Sequence, residues 1–381
     1  MATATLEKKQ KAATGGIRLN VQELKAALKI VGSVVPAKSP RETLTSVRLS
    51  DGVLAGSDLE IRVDHPVDCA EGVSVLLPRD RLQAILSTVN AEEISVELNG
   101  SECVLKTKSA RWSMATQSVD EYPAWPVSGL HSITAMPCDQ FARAAAGVVF
   151  ATDNDSARYV LNAVAIEVSG DSVFFIATDG RRLALVQCER KQNEATDDRQ
   201  VLVPARALEK IVAVAREHKD EEVQLECSTK ELVATIGGIR VTCLLLSGSF
   251  PKWRDVLPGW GKKPARETKT TAVNREELLA ATRAASICTS DESRSLEYVF
   301  SDVIAMHGKS AEKGESLVEC EVKESGKNCC VKLDPVFVLQ WLQGISSEED
   351  PTVTIDAVDN KSAVVLVCGD STGLIMPMGD D

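Results

Sequence analysis

The sequence predicts an α+β fold built from one unit used three times. Three observations carry this. A short extended segment followed by an amphipathic helix occurs three times. A second, proline-marked helix follows each of them. Alternating segments rich in Val, Ile, Leu and Thr fill the intervals.

The first helices are read in NVQELKAALKIVGSVV, PCDQFARAAAGVVF and NREELLAATRAASI, each after a short strand. Asn20 and Asn274 are expected N-caps, because an Asn side chain accepts from the open amides of the first turn. Pro137 suits an early helix position. Leu24, Ala27, Leu28 and Val31 recur at helical spacing and form the buried face. The second helices are read in LPRDRLQAILSTV, VPARALEKIVAVAREHK and LDPVFVLQWLQGI, beside Pro78, Pro204 and Pro335. Segments such as VLAGSDLEIRV, SVFFIATDG and ELVATIGGIRVTCLLL alternate as antiparallel strands do. Asp51-Gly52, Gly170-Asp171 and Gly237-Gly238 supply their turns. The unit is thus two helices with roughly eight short strands. The joints fall near residues 128–131 and 259–266, the second having the linker composition PGWGKKPARE. The expected division is a disordered tail at 1–15 and domains at 16–130, 131–259 and 260–381, with three unrelated domains as the alternative.

Bulk properties narrow the function. The chain has 381 residues, 44% hydrophobic and 26% charged, as a globular protein of several domains does. No apolar run approaches the roughly 18 residues that span a bilayer, and the polar start MATATLEKKQKAATGG lacks a secretory core. A cytoplasmic, nucleoid-associated location without membrane partners is expected. Eleven cysteines without a CxxC pair, Cys329 and Cys330 being adjacent, read as free, mostly buried thiols rather than a disulfide framework. Four scattered histidines argue against a metal site or a Ser/His/Asp triad. No metal, cofactor or catalytic residue is expected.

The net charge of -12 opposes nucleic-acid binding unless the cations are gathered on one face. The helices offer such a gathering. Lys25, Lys29, Arg143, Arg275 and Arg283 lie on the first set; Arg79, Arg81, Arg206, Lys210 and Arg216 lie on the second. Acidic runs lie elsewhere, at residues 220–222, 347–350 and 380–381. Ordinary solvated helix faces are the plain alternative. With no base-reading motif, any DNA contact is expected to be to phosphate and independent of sequence.

The segments RYVLN (158–162) and ATDGRRLA (177–184) resemble the bacterial DNA polymerase III β-subunit (sliding clamp) family. GSDLEI (56–61), GSFPKW (248–253) and the ending IMPM (375–378) strengthen the resemblance, which covers nearly everything from Ile17 onward. It implies three DNA-clamp domains per chain and a ring-shaped, head-to-tail homodimer around double-stranded DNA. Helices would line the hole and sheets the outer wall. Partners would be the DNA polymerase III α subunit, the clamp loader and other peptide-motif proteins; the function would be processivity rather than catalysis.

Carried over by position, the resemblance places a partner-peptide pocket at Leu161, Thr178, Gly180, Arg181, Arg182, Leu183, Pro251, Val256, Phe337, Met376, Pro377 and Met378. It adds DNA contacts at Lys38, Arg41, Tyr159 and Arg206 to Lys25, Lys29, Arg79, Arg143, Lys210 and Arg275. It puts Trp112 and Ile287 at the subunit joint, where edge strands would pair. Asp255 stands where the family often has Arg, and Asp334 and Phe337 stand near positions of Asn and Tyr. The tail ends Gly379-Asp380-Asp381 rather than on a basic and an apolar residue.

Each site has a plainer reading. Asp179-Gly180 is also a tight turn, Met376-Pro377-Met378 also terminal packing, Trp112 also core. Two other functions compete: an enzyme using TDGRR as a phosphate-binding turn with Asp179 as acid or base, and a diverged clamp-like scaffold that never closes a ring.

Overall fold

The structure, a computed structural model, describes residues 17–69, 74–99, 102–125, 128–153, 159–190, 198–260, 264–290, 294–345 and 351–379. The expected tail at 1–15, Arg158, the acidic run at 347–350 and the last two residues lie outside these.

Among the described residues are six α-helices and twenty-four strands, in an order that occurs three times. The first round is β1 (Ile17–Asn20), α1 (Val21–Val31), β2 (Ser46–Ser50), β3 (Val53–Ser57), β4 (Ile61–Pro66), β5 (Ser74–Pro78), α2 (Arg79–Thr88), β6 (Glu93–Asn99), β7 (Glu102–Lys106) and β8 (Arg111–Ala115). The second is β9 (His131–Pro137), α3 (Cys138–Val149), β10 (Ala163–Ser169), β11 (Ser172–Thr178), β12 (Arg182–Glu189), β13 (Arg199–Pro204), α4 (Ala205–Glu217), β14 (Glu222–Cys227), β15 (Glu231–Ile236) and β16 (Ile239–Leu244). The third is β17 (Thr271–Asn274), α5 (Arg275–Ala285), β18 (Leu296–Phe300), β19 (Val303–Ser310), β20 (Gly314–Glu321), β21 (Cys329–Leu333), α6 (Pro335–Gly344), β22 (Thr352–Asp356), β23 (Val364–Cys368) and β24 (Ser371–Ile375).

The helix starts follow the chemistry read from the sequence. Asn20 Oδ1 accepts from the amides of Gln22 and Glu23, and Asn274 Oδ1 from those of Glu276 and Glu277. Pro78, Pro137 and Pro204 occupy the N-cap itself, where no amide is needed. Pro335 sits one position later, behind Asp334, whose carboxylate caps the amide of Val336.

By compactness the chain divides into two units. One holds the residues up to Gly129 together with Val233–Cys243; the other holds Leu130–Leu232 and the chain from Leu244. The first unit contains the sheet β1-β6-β7-β8 and the strand order β5-β2-β3-β4-β16-β15. Strand β16 belongs to it because Arg240 to Cys243 pair with β4. The second contains the eight-stranded sheet β13-β10-β11-β12-β24-β23-β22-β17, the sheet β20-β19-β18-β21 and the pair β14–β9. The strands pair antiparallel, as the alternating sequences and two-residue turns demand.

All eleven cysteines are free, and seven of them are buried. No helix among the described residues is long and apolar enough to cross a membrane.

Candidate functional site

In the second unit, β11 and β12 expose different chemistry on their two faces. Phe175 turns toward α3, where its ring meets Phe141 edge-on at 5.6 Å. Phe174 and Ile176 turn the other way. They join Leu183, Leu185, Leu374, Phe250, Trp253 and Leu257 in one apolar cluster, with Val160 packed against it. Phe174, Trp253 and Trp260 meet with centroids 5.1–5.7 Å apart. The segment carrying Phe250-Pro251 is thereby held over the sheet. Gly248 allows it to arrive: φ is +147°, and a Cβ there would lie 2.5 Å from Val160 Cγ1.

The turn between β11 and β12 is built around Asp179. Its Oδ1 accepts from the amides of Arg181 and Arg182, and its Oδ2 from Arg182 Nε at 2.9 Å. Gly180, at φ +88°, supplies the left-handed step. Thr178 closes the turn: its hydroxyl donates to the carbonyl of Arg182 at 2.6 Å and accepts from the amide of Gly180. Asp179 is thus spent on structure, which removes the sequence argument for an acid or base at TDGRR.

Arg182 is the anchor of this corner. It is 9% exposed, donates to the Phe150 carbonyl at 2.6 Å and to Gln340 of α6, and stacks on Phe337 with 4.3 Å to the ring centroid. Burial lowers its pKa and the neighbouring Asp179 carboxylate opposes that shift. Asp334 is pushed above the usual carboxylate range by burial, against its bond from Val336 and the pull of Arg294, Arg182 and Arg181.

Strand β24 completes the corner. Arg182 pairs with Ile375 and Leu183 with Leu374, and the amide of Met376 donates to the Arg181 carbonyl at 2.9 Å. Thr178, Gly180, Arg181, Arg182, Leu183, Phe337 and Met376 are therefore brought together. Leu183 reaches the cluster that holds Phe250, and Pro251 and Val256 flank that cluster in sequence. Leu161 follows Val160 in the short turn at Tyr159–Asn162. Met378 is placed by its amide, which donates to the Lys332 carbonyl of β21; Pro377, which has no amide hydrogen, links it to Met376. The twelve residues divide by exposure. Leu161 and Leu183 are 4% and 5% exposed and form part of the core, whereas Val256 and Met376 are 46% and 44% exposed and present apolar surface.

The helices carry two concavities. In the second unit α3, α4 and α6 border one of about 830 Å³, where Arg143, Arg216, Lys219, Gln340 and Gln343 meet a single carboxylate, Asp139. In the first unit α1 and α2 border one of about 420 Å³ lined by Lys25, Lys29, Gln83 and Ser87, with no acid. Lys25, Lys29 and Arg143 line these concavities; the Lys25 ammonium donates to the Val89 carbonyl at 3.2 Å, and Arg143 pairs with Asp139 at 3.3 Å. Lys219, Gln340 and Gln343 escaped the sequence reading, because a lysine past a helix end and two amides carry no local signal. Lys38, Arg41, Tyr159 and Arg206 are exposed and Lys210 is half-buried.

Two of the expected DNA contacts need correction. Arg275 is buried; its Nε donates to the Leu342 carbonyl at 2.9 Å and its Nη1 pairs with Glu276. Arg79 donates to the Val35 carbonyl at 3.2 Å and pairs with Asp80 at 2.8 Å. Arg275 joins helix to helix instead of facing a phosphate, and Arg79 is largely committed in the same way.

At the expected joint, Trp112 is half-buried on β8, which has a neighbour on one side only. Ile287 is 70% exposed. In the same unit as Ile287, β20 has an open edge and carries Leu317, 62% exposed.

A model of the DNA polymerase III beta subunit, N-terminal domain, matches residues 17–126, and one of the central domain matches residues 135–252. The Beta sliding clamp of Pseudomonas aeruginosa is 25% identical over 362 residues, covering 92% of this chain and 96% of its own length. The crystal structure of the DNA polymerase sliding clamp from Pseudomonas aeruginosa with ligand superposes with a TM-score of 0.86 at 23% identity, covering 96% of this chain and 100% of that one. The form bound to griselimycin does so with a TM-score of 0.85 at the same identity and coverage. The matched domains together span more than half of the chain, and the solved clamps share the threefold order of helices and strands: the chain belongs to the DNA polymerase III beta-subunit family, the bacterial beta sliding clamps.

Proposed function

We propose that two copies of this chain close head to tail into a ring around duplex DNA and tether the replicative polymerase to it. Three clamp domains, at 16–130, 131–259 and 260–381, would make up each half. The observation that carries this is the threefold repeat with cationic concavities on its helices. An acidic chain of net charge -12 with basic helix grooves has the charge segregation a DNA-encircling protein needs. The contacts are to phosphate, from Lys25, Lys29, Lys38, Arg41, Arg143, Arg206 and Lys210, with Arg216 and Lys219 added and Arg275 and Arg79 removed. Binding is therefore salt-dependent and indifferent to sequence.

The ring closes where open sheet edges meet. An unpaired strand edge is costly in isolation, and β8 with Trp112 and β20 with Leu317 and Ile287 satisfy each other across subunits. The corner built by Arg182, Phe337 and Met376 takes a short peptide from the polymerase III α subunit, the clamp loader and other partners. Exposed Val256 and Met376 supply adaptable apolar contact, and the chain acts without catalysis or cofactor. A related clamp binds griselimycin, in keeping with a built ligand site on this fold. Such a protein works in the cytoplasm, on the nucleoid.

Retention on DNA tests the proposal. A sedimentation mass of twice 41.0 kDa is expected. After loading, the protein stays on circular DNA and leaves once the circle is cut. A monomer at micromolar concentration, or equal loss from both DNA forms, would replace the ring with a clamp-like scaffold.

A further inference from the structure

The first unit holds a third concavity, of about 450 Å³, away from the helices. Its floor is a row across four strands: Arg48 of β2 pairs with Ala55 of β3, Ala55 with Asp64 of β4, and Asp64 with Arg240 of β16. The next row adds Arg62 opposite Thr242. Side chains alternate across a sheet, so these residues share one face. It is the face that α1 does not cover: Gly56, next to Ala55, points at Val31 at the end of that helix and at Val35 just beyond it. Three strand spacings separate the backbones of Arg48 and Arg240, roughly 14 Å. Small Ala55 between them leaves the space into which both guanidinium groups reach.

The charges in this concavity are unevenly matched. Arg62 is committed to Asp64, with three contacts of 2.6–2.9 Å. Ser50 donates to Asp51, which stands at the exposed edge. Among the described residues neither Arg48 nor Arg240 forms an ion pair. Arg48 Nε is buried and has no hydrogen-bond partner, and one terminal nitrogen of the same group makes a long 3.4 Å bond to the Ser50 hydroxyl. The buried hydroxyl of Tyr122 lies within electrostatic range of Arg48, Arg62 and Asp64 and meets the backbone at Ser57. Two guanidinium groups that line one cavity without an acid of their own make it attractive to an anion. Trp125 lines the same space and offers a flat apolar surface.

We infer that this pocket binds a small phosphate monoester bearing a planar ring, a nucleoside monophosphate in chemical class. The phosphate sits between Arg48 and Arg240, since guanidinium forks match phosphate oxygens. The ring stacks on Trp125, and Asp51 accepts from its exocyclic or sugar donors. The volume is that of a small-ligand site. This inference is independent of the ring and of the peptide corner.

Isothermal titration of the full chain with adenosine monophosphate, ribose 5-phosphate, adenosine and O-phosphoserine tests it at physiological salt. Adenosine monophosphate binds with one site per chain, ribose 5-phosphate about tenfold more weakly, and adenosine not measurably. Arg240→Met, and separately Arg240→Gln, weakens the monophosphate at least tenfold with an unchanged melting transition, because Arg240 is exposed. Trp125→Leu brings it to the level of ribose 5-phosphate. Arg18→Met, on an exposed cation of β1, changes nothing. Absence of monophosphate binding at millimolar concentration overturns the inference. So does an Arg240 variant that binds like the parent, equal weakening by Arg18→Met, or O-phosphoserine binding as tightly as the nucleotide.

Discussion

Replacing Arg182 by Met tests how far one side chain organises the peptide corner. The guanidinium is 9% exposed and serves Asp179, the Phe150 carbonyl, Gln340 and the Phe337 ring at once. A charge-assisted hydrogen bond contributes about 1.5–3 kcal/mol, but such values do not add within one network. Removing one partner of a buried pair costs about 3–5 kcal/mol, because the other charge is left stranded. The 15% exposure of Asp179 places it in that regime. We therefore expect a loss of about 3–5 kcal/mol, which at a urea slope of about 2–3 kcal/mol per molar is a midpoint shift of roughly 1–2 M. Two compact units need not unfold in one step. The measurement is made in a Trp112→Phe, Trp125→Phe background, where Trp253, Trp260 and Trp341 all report on the second unit. Arg182→Lys keeps the charge but not the planar fork and recovers less than half of the loss. A shift below about 0.3 M, or full recovery by Lys, refutes the anchoring role.

Gly248→Ala introduces a Cβ 2.5 Å from Val160 Cγ1 at a φ of +147°, and costs about 1–3 kcal/mol in the same unfolding measurement. Met376→Ala with Val256→Ala changes stability by less than about 0.5 kcal/mol, since both are exposed, yet weakens the short partner peptide proposed for this corner by at least tenfold in titration. Leu183→Ala instead costs about 2–5 kcal/mol of stability, because Leu183 is core, so the two variants separate binding surface from support. Asp334→Asn keeps the N-cap acceptor and removes a carboxylate whose pKa burial has raised. A raised carboxylate pKa means that ionisation opposes folding at neutral pH, and protonation relieves this as pH falls. The Asn variant therefore melts higher at pH 7, and its advantage fades on acidification; an advantage that grew toward low pH would contradict the assignment. Ile287→Asp with Leu317→Asp yields a monomer in sedimentation while leaving the melting of the second unit in place.

The repeat was legible because it is written in local chemistry. Asn20 and Asn274 cap helices with bonds to residues two and three positions away, and Pro78, Pro137, Pro204 and Pro335 mark helix starts at fixed places. Asp51-Gly52 makes its hairpin from its own backbone angles, φ +50° and +75°. The turn at Asp179-Gly180 is equally local, and the plain reading of it as a turn was correct in structure. The placement of Arg182 could be located in the sequence but not its partners, since Phe150 and Gln340 lie 32 and 158 residues away.

The fates of the helix cations show why the rest was hidden. Lys29, Arg79, Arg143 and Arg275 look alike in sequence, each a cation on an amphipathic helix. Arg79 and Arg275 are drawn inward by a backbone carbonyl of a distant segment. Arg79 finds that of Val35, 44 residues away, and Arg275 that of Leu342, 67 residues away, at the end of α6. A guanidinium has five donors and a long stem, so it takes such an acceptor whenever the fold offers one, and the Lys25 ammonium does the same, donating to the Val89 carbonyl at 3.2 Å. Counting cations along the helices therefore overstates the charge a duplex would meet. The concavities bordered by α1 with α2, and by α3, α4 and α6, are the better measure, because their linings gather Lys25 and Lys29, or Arg143, Arg216 and Lys219, against at most one carboxylate.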